Sequence, residues 1–226
     1  TILHYAGEDV GWELTDQTSN IDLYGVWANP ETSGAEGVVT CGSGGRLVLY
    51  YAGQWSTSHV APGNVTLRSL YGYEDKLFAV GTDGTISVRQ TETGSWVGQP
   101  SNMPDDNDLF AVAASGDNDI YAFGANGSVL EWLGTSWQTI FVGAQNYASS
   151  TYVAAAWAKG IGERPGRWLV VGEAGGGISS EDAEEWVDQV TQPSGGLTAL
   201  SEDAQGQLWA VGRDGLLLMR QGASWS

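Results

Sequence analysis

The chain has 226 residues, and its 27 acidic against 9 basic residues set the formal net charge at −18. A field of that sign repels nucleic-acid phosphates and anionic lipid headgroups, which excludes nucleic acid from the expected partners. No apolar stretch approaches the roughly 18 residues that span a bilayer, so membrane insertion is not expected either. The single cysteine, Cys41, cannot form an intrachain disulfide, and its apolar surroundings are typical of a small core residue.

A short apolar run that ends in glycine recurs along the chain with a period of about 40 residues. A tight turn follows each run, and Asp83-Gly84, Asn126-Gly127 and Asp214-Gly215 are the dipeptides that adopt positive φ in two-residue hairpins. A third strand comes next, and each unit closes on a tryptophan. The apolar runs are residues 38–42, 77–81, 120–124, 168–172 and 208–212, and the closing residues are Trp55, Trp96, Trp137, Trp186 and Trp225.

Another apolar strand precedes each glycine-ended run, so that one unit contains four strands, a to d, joined by hairpins. Strand a is predicted at residues 23–26, 67–70, 109–112, 153–156 and 197–200. Strand b is apolar at nearly every position, so both of its faces must be covered. Four-stranded sheets that stand side by side around an axis cover their middle strands in this way, and the predicted fold is an all-β propeller with antiparallel blades.

The first residues of the chain match strands c and d of a further copy that lacks strands a and b. We therefore predict one propeller domain over residues 1–226, with five complete repeats and an N-terminal half repeat. Five blades are favoured, while six blades or a fragment of a larger propeller are the alternatives. The half blade is residues 1–22, and the repeats are residues 23–66, 67–108, 109–151, 152–196 and 197–226.

The repeated pattern resembles those of bacterial β-propeller proteins, and residues 77–86 are its clearest copy. It is also similar to the BNR or Asp-box propellers and, in blade number and tryptophan content, to the five-bladed tachylectin-type lectins. The Asp-box is degenerate in residues 90–96, where the tryptophan comes one position early. The resemblance therefore implies a fold and no catalytic residues.

Large aromatic residues recur just after strand a. The five repeats carry Trp27, Tyr71, Ala113, Trp157 and Ser201 at this position. The three aromatic rings are predicted platforms for a carbohydrate or protein ligand, and the alternative is that they pack between blades. The longer connections at residues 29–36 and 159–166 follow two of these rings, and binding sites in repeat proteins often lie on such insertions.

Two acidic loops are weak candidates for a calcium site, since carboxylate oxygens suit hard cations. The carboxylates are Asp105, Asp106, Asp108, Asp117 and Asp119. Neither loop matches the twelve-residue EF-hand pattern, and turns favour Asp and Asn for backbone reasons, so no metal or other cofactor is predicted.

A non-catalytic binding propeller is the predicted function, since the two histidines lie far apart and no zinc or nucleophile motif accompanies them. A glycan-processing hydrolase and a structural repeat module are the alternatives. The sequence begins at Thr1 without methionine, which a removed signal peptide or another trimming event would explain. On the first reading the protein is secreted or lies on the cell surface. The oligomeric state is left open.

Overall fold

The structure is a computed structural model that describes residues 2–5, 11–16, 21–29, 37–51, 54–73, 76–90, 94–103, 107–116, 119–140, 151–159, 166–173, 175–190, 196–203, 205–221 and 224–226. The described residues form five four-stranded sheets and one two-stranded sheet. All the pairings are antiparallel, with strands a to d of each four-stranded sheet in chain order. This arrangement confirms the predicted all-β propeller.

The blades are named in chain order after a two-stranded pair, β1 (Ile2–Tyr5) and β2 (Trp12–Asp16). Blade 1 contains β3 (Leu23–Ala28), β4 (Val38–Gly42), β5 (Arg46–Tyr51) and β6 (Gln54–His59). Blade 2 contains β7 (Leu67–Tyr73), β8 (Lys76–Gly81), β9 (Ile86–Arg89) and β10 (Trp96–Gln99). Blade 3 contains β11 (Leu109–Gly116), β12 (Asp119–Gly124), β13 (Val129–Trp132) and β14 (Trp137–Thr139). Blade 4 contains β15 (Tyr152–Ala158), β16 (Arg167–Gly172), β17 (Gly176–Ser180) and β18 (Val187–Val190), and blade 5 contains β19 (Leu197–Glu202), β20 (Leu208–Gly212), β21 (Leu217–Gln221) and β22 (Ser224–Trp225).

The turns between strands b and c have the predicted backbone conformation. In blade 2 the amide of Thr85 donates to the carbonyl of Thr82 over 3.0 Å, and Asp83 and Gly84 between them have φ of +55° and +60°. Positive φ at both central residues defines the type I′ turn, whose twist matches that of the flanking strands. Asn126 and Asp214 have φ of +53° and +58° at the matching positions, which confirms the turn prediction.

The glycine that ends strand b is required because the backbone passes very close to it. A Cβ atom on Gly81 would collide with the carbonyl oxygen of Thr66, which lies just before strand a. The amide of Thr82 donates to that same oxygen over 3.0 Å, so the carbonyl cannot move away. Gly124 has the same relation to the carbonyl of Asp108. The repeated glycine therefore allows the end of strand b to lie against the residue that precedes strand a of the same blade.

Aromatic rings pack across the boundaries between blades. Phe78 of blade 2 contacts Trp132 and Trp137 of blade 3, with ring centroids 5.5 and 5.8 Å apart. Tyr121 of blade 3 contacts Trp168 of blade 4 in the same manner, at 5.2 Å. Such edge-to-face pairs stabilise the core beyond the area that they bury. The closing tryptophans of blades 3 and 4, at 137 and 186, are buried, while those at 55, 96 and 225 are half-buried.

Strand a of the fourth repeat begins one residue earlier than the sequence pattern indicated. Tyr152 pairs with Gly172, as Leu67 pairs with Gly81 in blade 2. The prediction that Val153 begins this strand was therefore wrong, because a buried tyrosine replaces the leucine of the other four copies. Trp157 consequently lies one position beyond the repeated aromatic position, which Ala156 occupies.

Candidate functional site

The same irregularity occurs in strand a of every blade. The register with strand b shifts between the first and third residues, as between Leu67 and Ser69, so the second residue is a β-bulge. A bulged residue is unpaired, and the kink redirects its side chain. The five bulge residues, which we call the bulge ring, are Tyr24, Arg68, Phe110, Val153 and Thr198.

All five bulge residues line one cavity at the propeller axis. Three consecutive residues from each blade surround it: 24–26, 68–70, 110–112, 153–155 and 198–200. Strand a of each blade contacts strand a of the next from blade 1 to blade 5, which brings these segments together. The cavity volume is about 190 Å³, smaller than the sites that enclose whole small molecules. One side chain or a chain terminus is the size of group that it accommodates.

Arg68 provides the positive charge in the bulge ring. Its guanidinium carbon lies 4.8 Å from the ring centroid of Phe110 and 5.6 Å from that of Tyr24. Both distances are within the range of cation–π attraction. The contacts therefore connect the bulge residues of three successive blades and leave the Tyr24 ring largely exposed.

Within the described part of the chain, Asp108 is the carboxylate that pairs with Arg68, at 3.8 Å from Nη2. That separation exceeds the length of a hydrogen bond. The other Asp108 oxygen, Oδ1, accepts a hydrogen bond from the backbone amide of Asp83 over 3.1 Å. Nε of Arg68 is buried, and no acceptor within the described part of the chain bonds to it.

Two of the predicted aromatic site residues pack against the following blade. The ring of Trp27 lies on Gly72 of blade 2, where it leaves no room for a Cβ atom. The hydroxyl of Tyr71 donates to the carbonyl of Ala114 in blade 3 over 3.3 Å. Both side chains are half-buried, and neither lines the axial cavity.

Trp157 packs in the opposite direction. Its ring centroid lies 5.4 Å from that of Trp168, within the cluster that blade 4 forms with Tyr121 and Phe123 of blade 3. The one-residue offset of Trp157 explains this orientation, since successive side chains of a strand point to opposite faces. The three rings therefore do not form one surface. Their role in ligand binding stays a prediction.

Two of the five candidate cation ligands, Asp108 and Asp119, lie within the described residues. Asp105, Asp106 and Asp117 lie outside the described residues, as do 30–36 and 160–165 of the two longer connections. Asp119 accepts a hydrogen bond from the hydroxyl of Ser115 over 3.0 Å. The described residues contain no cluster of three side chains of the metal-binding types His, Cys, Asp and Glu.

Cys41 has the properties of a core residue. Burial raises the pKa of its thiol from 9.0 to about 12, although a backbone hydrogen bond at Gly25 partly opposes the effect. The thiol is therefore protonated at neutral pH, whereas a nucleophilic cysteine reacts as the thiolate.

The sequence reasoning missed the bulge ring. Tyr24, Arg68 and Phe110 share the second position of strand a, and that shared position was the available signal. Their side chains differ in size, charge and polarity, so the repeat pattern shows no common property there.

The described residues also include no helix long and apolar enough to cross a bilayer.

No protein-family model matches the sequence, and no curated protein matches it significantly. Several solved structures share the fold. YCF48 from Cyanidioschyzon merolae has a TM-score of 0.66 and 13% identity over 93% of this chain and 70% of its own. A structure of YCF48 bound to a D1 peptide has a TM-score of 0.61 and 15% identity over 85% of this chain and 63% of its own.

Two further propellers cover nearly the whole chain. The extracellular domain of the putative hybrid two component system BT4673 from B. thetaiotaomicron has a TM-score of 0.73 and 14% identity over 98% of this chain and 29% of its own. Streptogramin B lyase has a TM-score of 0.72 and 10% identity over 90% of this chain and 67% of its own. The chain thus spans about two thirds or less of the length of these proteins, and the likeness is one of fold.

Proposed function

We propose that the protein is a non-catalytic binding propeller that holds a segment of a protein ligand at the mouth of its axial cavity. The observation that carries this proposal is the repeated β-bulge, which directs one side chain of every blade to the same cavity. A repeated bulge supports a function common to all five blades, since bulges often redirect side chains beside functional sites.

The dimensions of the cavity favour a peptide over a larger rigid ligand. A volume of about 190 Å³ accepts one side chain or terminus, while the rest of the segment lies across the surrounding surface. The net charge of −18 favours a peptide with basic residues outside the group that enters the cavity, because opposite charge steers association. That one propeller of similar fold, YCF48, has been solved with a D1 peptide supports this ligand class.

Secretion or exposure at the cell surface is part of the same proposal. The supporting observation is the likeness in fold to an extracellular domain from B. thetaiotaomicron. The protonated thiol of Cys41 supports a role without nucleophilic catalysis. The side chains of Trp27, Tyr71 and Trp157 are half-buried, so these residues would contribute to ligand binding only through the exposed part of each ring.

The test is a selection of peptides from a random displayed library, followed by affinity measurement with two matched variants. Thr198→Trp puts a large ring into the axial cavity, whereas Thr139→Trp puts the same ring on the exposed outer strand of blade 3. We expect Thr198→Trp to weaken peptide binding at least about tenfold and Thr139→Trp to leave it unchanged, since only the former blocks the cavity.

Other outcomes would overturn the proposal in favour of a named alternative. A glycan-array signal that Trp27→Ala abolishes and Thr198→Trp leaves intact would identify a lectin. Turnover of aryl glycosides would identify a hydrolase. Selected peptides that bind both tryptophan variants equally would place the binding surface away from the axis.

A further inference from the structure

We propose that Arg68 is a carboxylate-binding residue that receives the acidic group of the ligand inserted at the axis. This inference rests on the proposed function, because it names the chemistry of the group that enters the axial cavity. The sources of such a group are a chain terminus and an aspartate or glutamate side chain. Both present the same two oxygens to the guanidinium.

Arg68 has hydrogen-bonding capacity that the described residues do not use. Its pairing with Asp108 is electrostatic, because 3.8 Å is too long for a hydrogen bond. Nε is buried without an acceptor among the described residues, and a buried donor in that state is costly. A carboxylate bound at the accessible part of this 31% exposed side chain would give the guanidinium the hydrogen bonds that Asp108 does not accept from it.

Asp108 is held in a position from which it does not satisfy Arg68. Its Oδ1 accepts the amide hydrogen of Asp83 over 3.1 Å, and its own carbonyl accepts that of Ala125 over 2.9 Å. The side chains of Arg68 and Asp108 are 31% and 34% exposed, so solvent and ligands reach both of them. The pair therefore leaves the arginine open to a second carboxylate.

The two aromatic rings prepare the guanidinium for this role. Contacts with Phe110 at 4.8 Å and Tyr24 at 5.6 Å restrict the long side chain before any ligand binds. Less side-chain entropy is then lost on binding, and the planar fork of arginine matches the two oxygens of a carboxylate. Tyr24 and Phe110 also limit the water around the charge, which strengthens its attraction for an anion.

A carboxylate fits this site better than a phosphate group does. The negative charge of Asp108, 3.8 Å from the guanidinium, repels a dianion more strongly than a monoanion. A phosphate also needs several donors, and within the described bulge ring Arg68 is the residue with a cationic side chain. Tyr24 and Thr198 are the bulge residues with a hydroxyl, and that of Thr198 already donates to the carbonyl of Val211 over 3.3 Å.

The experiment follows the Nε–H signal of Arg68 by NMR in ¹⁵N-labelled protein, assigned from its absence in Arg68→Lys. Sodium acetate is titrated at constant ionic strength, with sodium chloride as the control salt and inorganic phosphate as the competing anion. We expect a saturable shift of this signal with acetate, a weaker effect of phosphate, and none with chloride. A linear shift, or one shared equally by other arginine signals, would overturn the proposal.

Two variants separate anion binding from a purely structural role. Arg68→Gln is expected to abolish the saturable acetate response at neighbouring backbone amides, while the rest of the spectrum stays that of a folded protein. Asp108→Asn keeps an oxygen for the amide of Asp83 but removes the competing charge, so acetate is expected to bind several-fold more tightly. If Asp108→Asn binds acetate no better than the native protein, the site is wrong even where Arg68→Gln fails to fold.

Selected peptides distinguish this inference from the proposed function. Amidation of the C-terminus tests the terminal carboxylate, and replacement of each Asp or Glu by Asn or Gln tests the side chains. One of these changes is expected to weaken binding about tenfold to native protein and to have little effect on Arg68→Gln. Peptides that bind Arg68→Gln as tightly as native protein, yet lose binding to Thr198→Trp, would refute the carboxylate site and leave the binding function standing.

Discussion

Blades 2 to 4 differ from blades 1 and 5 in the burial of matching residues. Leu70 of blade 2 is 6% exposed, while Val26 at the same register position of blade 1 is 70% exposed. Val80 of blade 2 is fully buried, and Val211 at the matching position of blade 5 is 41% exposed. Similar side chains at equivalent positions therefore differ in exposed fraction. The difference depends on whether a blade has a neighbour on each side.

The contrast shows that burial in this fold comes mainly from neighbouring blades. Strand a of blade 3 contacts strand a of both blade 2 and blade 4, whereas the strong contacts of β3 and β19 are with one neighbouring strand a each. Blade 5 also departs from the interior pattern at Trp209. Phe78 and Tyr121 are buried at the matching position of strand b, whereas Trp209 is half-buried and its indole nitrogen donates to Asp203 over 3.1 Å.

The largest expected effect comes from the tryptophan that closes an interior blade. Trp137→Ala removes the contacts with Phe78 and Trp132, and the free energy of unfolding should fall by about 3–5 kcal/mol. Trp12→Ala is the matched control in β2, where the side chain is 69% exposed and the cost should stay below about 0.5 kcal/mol. Urea unfolding followed by circular dichroism measures both. Equal losses would show that the β1–β2 pair is packed as tightly as blade 3.

A smaller effect is expected at the boundary between blades 1 and 2. Gly72→Ala places a methyl group inside the ring of Trp27, so the ring or the strand must move, at a cost of about 1–3 kcal/mol. Gly98→Ala in β10 of the same blade is the control, because no atom of the described residues lies within 4 Å of its added Cβ. Thermal unfolding of the two variants makes the comparison. A Gly72→Ala protein as stable as Gly98→Ala would contradict the contact between these blades.

The smallest effect comes from one substitution made at matching positions of an interior blade and an end blade. Val80→Ala should cost about 1.5 kcal/mol because it removes two buried methyl groups, while Val211→Ala should cost less than about 0.5 kcal/mol. Urea midpoints of the two variants give the difference directly. Should Val211→Ala cost as much as Val80→Ala, the exposed face of blade 5 is covered in solution and the contrast fails.

Most of the blade architecture was predictable because it depends on local chemistry. The glycine dipeptides at Asp83 and Asn126 demand positive φ, and the continuous apolar character of strand b demands cover on both faces. The fourth repeat shows the limit of this reasoning, since Tyr152 fills the place of a leucine and shifts the apparent start of its strand by one residue. Size and burial, rather than residue type, define that position.

The candidate site was much less predictable than the fold. Trp27, Tyr71 and Trp157 drew attention because large aromatic residues recur in the sequence, but the direction of each ring depends on strand register and on the next blade. Arg68 and Phe110 share a strand position and no chemical property. Only the bulge, a feature of the hydrogen bonds between strands a and b, makes them neighbours.

The sequence by itself determined the number of repeats, the four strands of each and the turns that join them, because hydrophobic runs and glycine dipeptides act over a few residues. The tertiary structure alone decided which equivalent positions are buried and which side chains meet at the axis. Those outcomes depend on contacts between residues far apart in the chain, such as Arg68 with Tyr24 and Phe110, that no local pattern specifies.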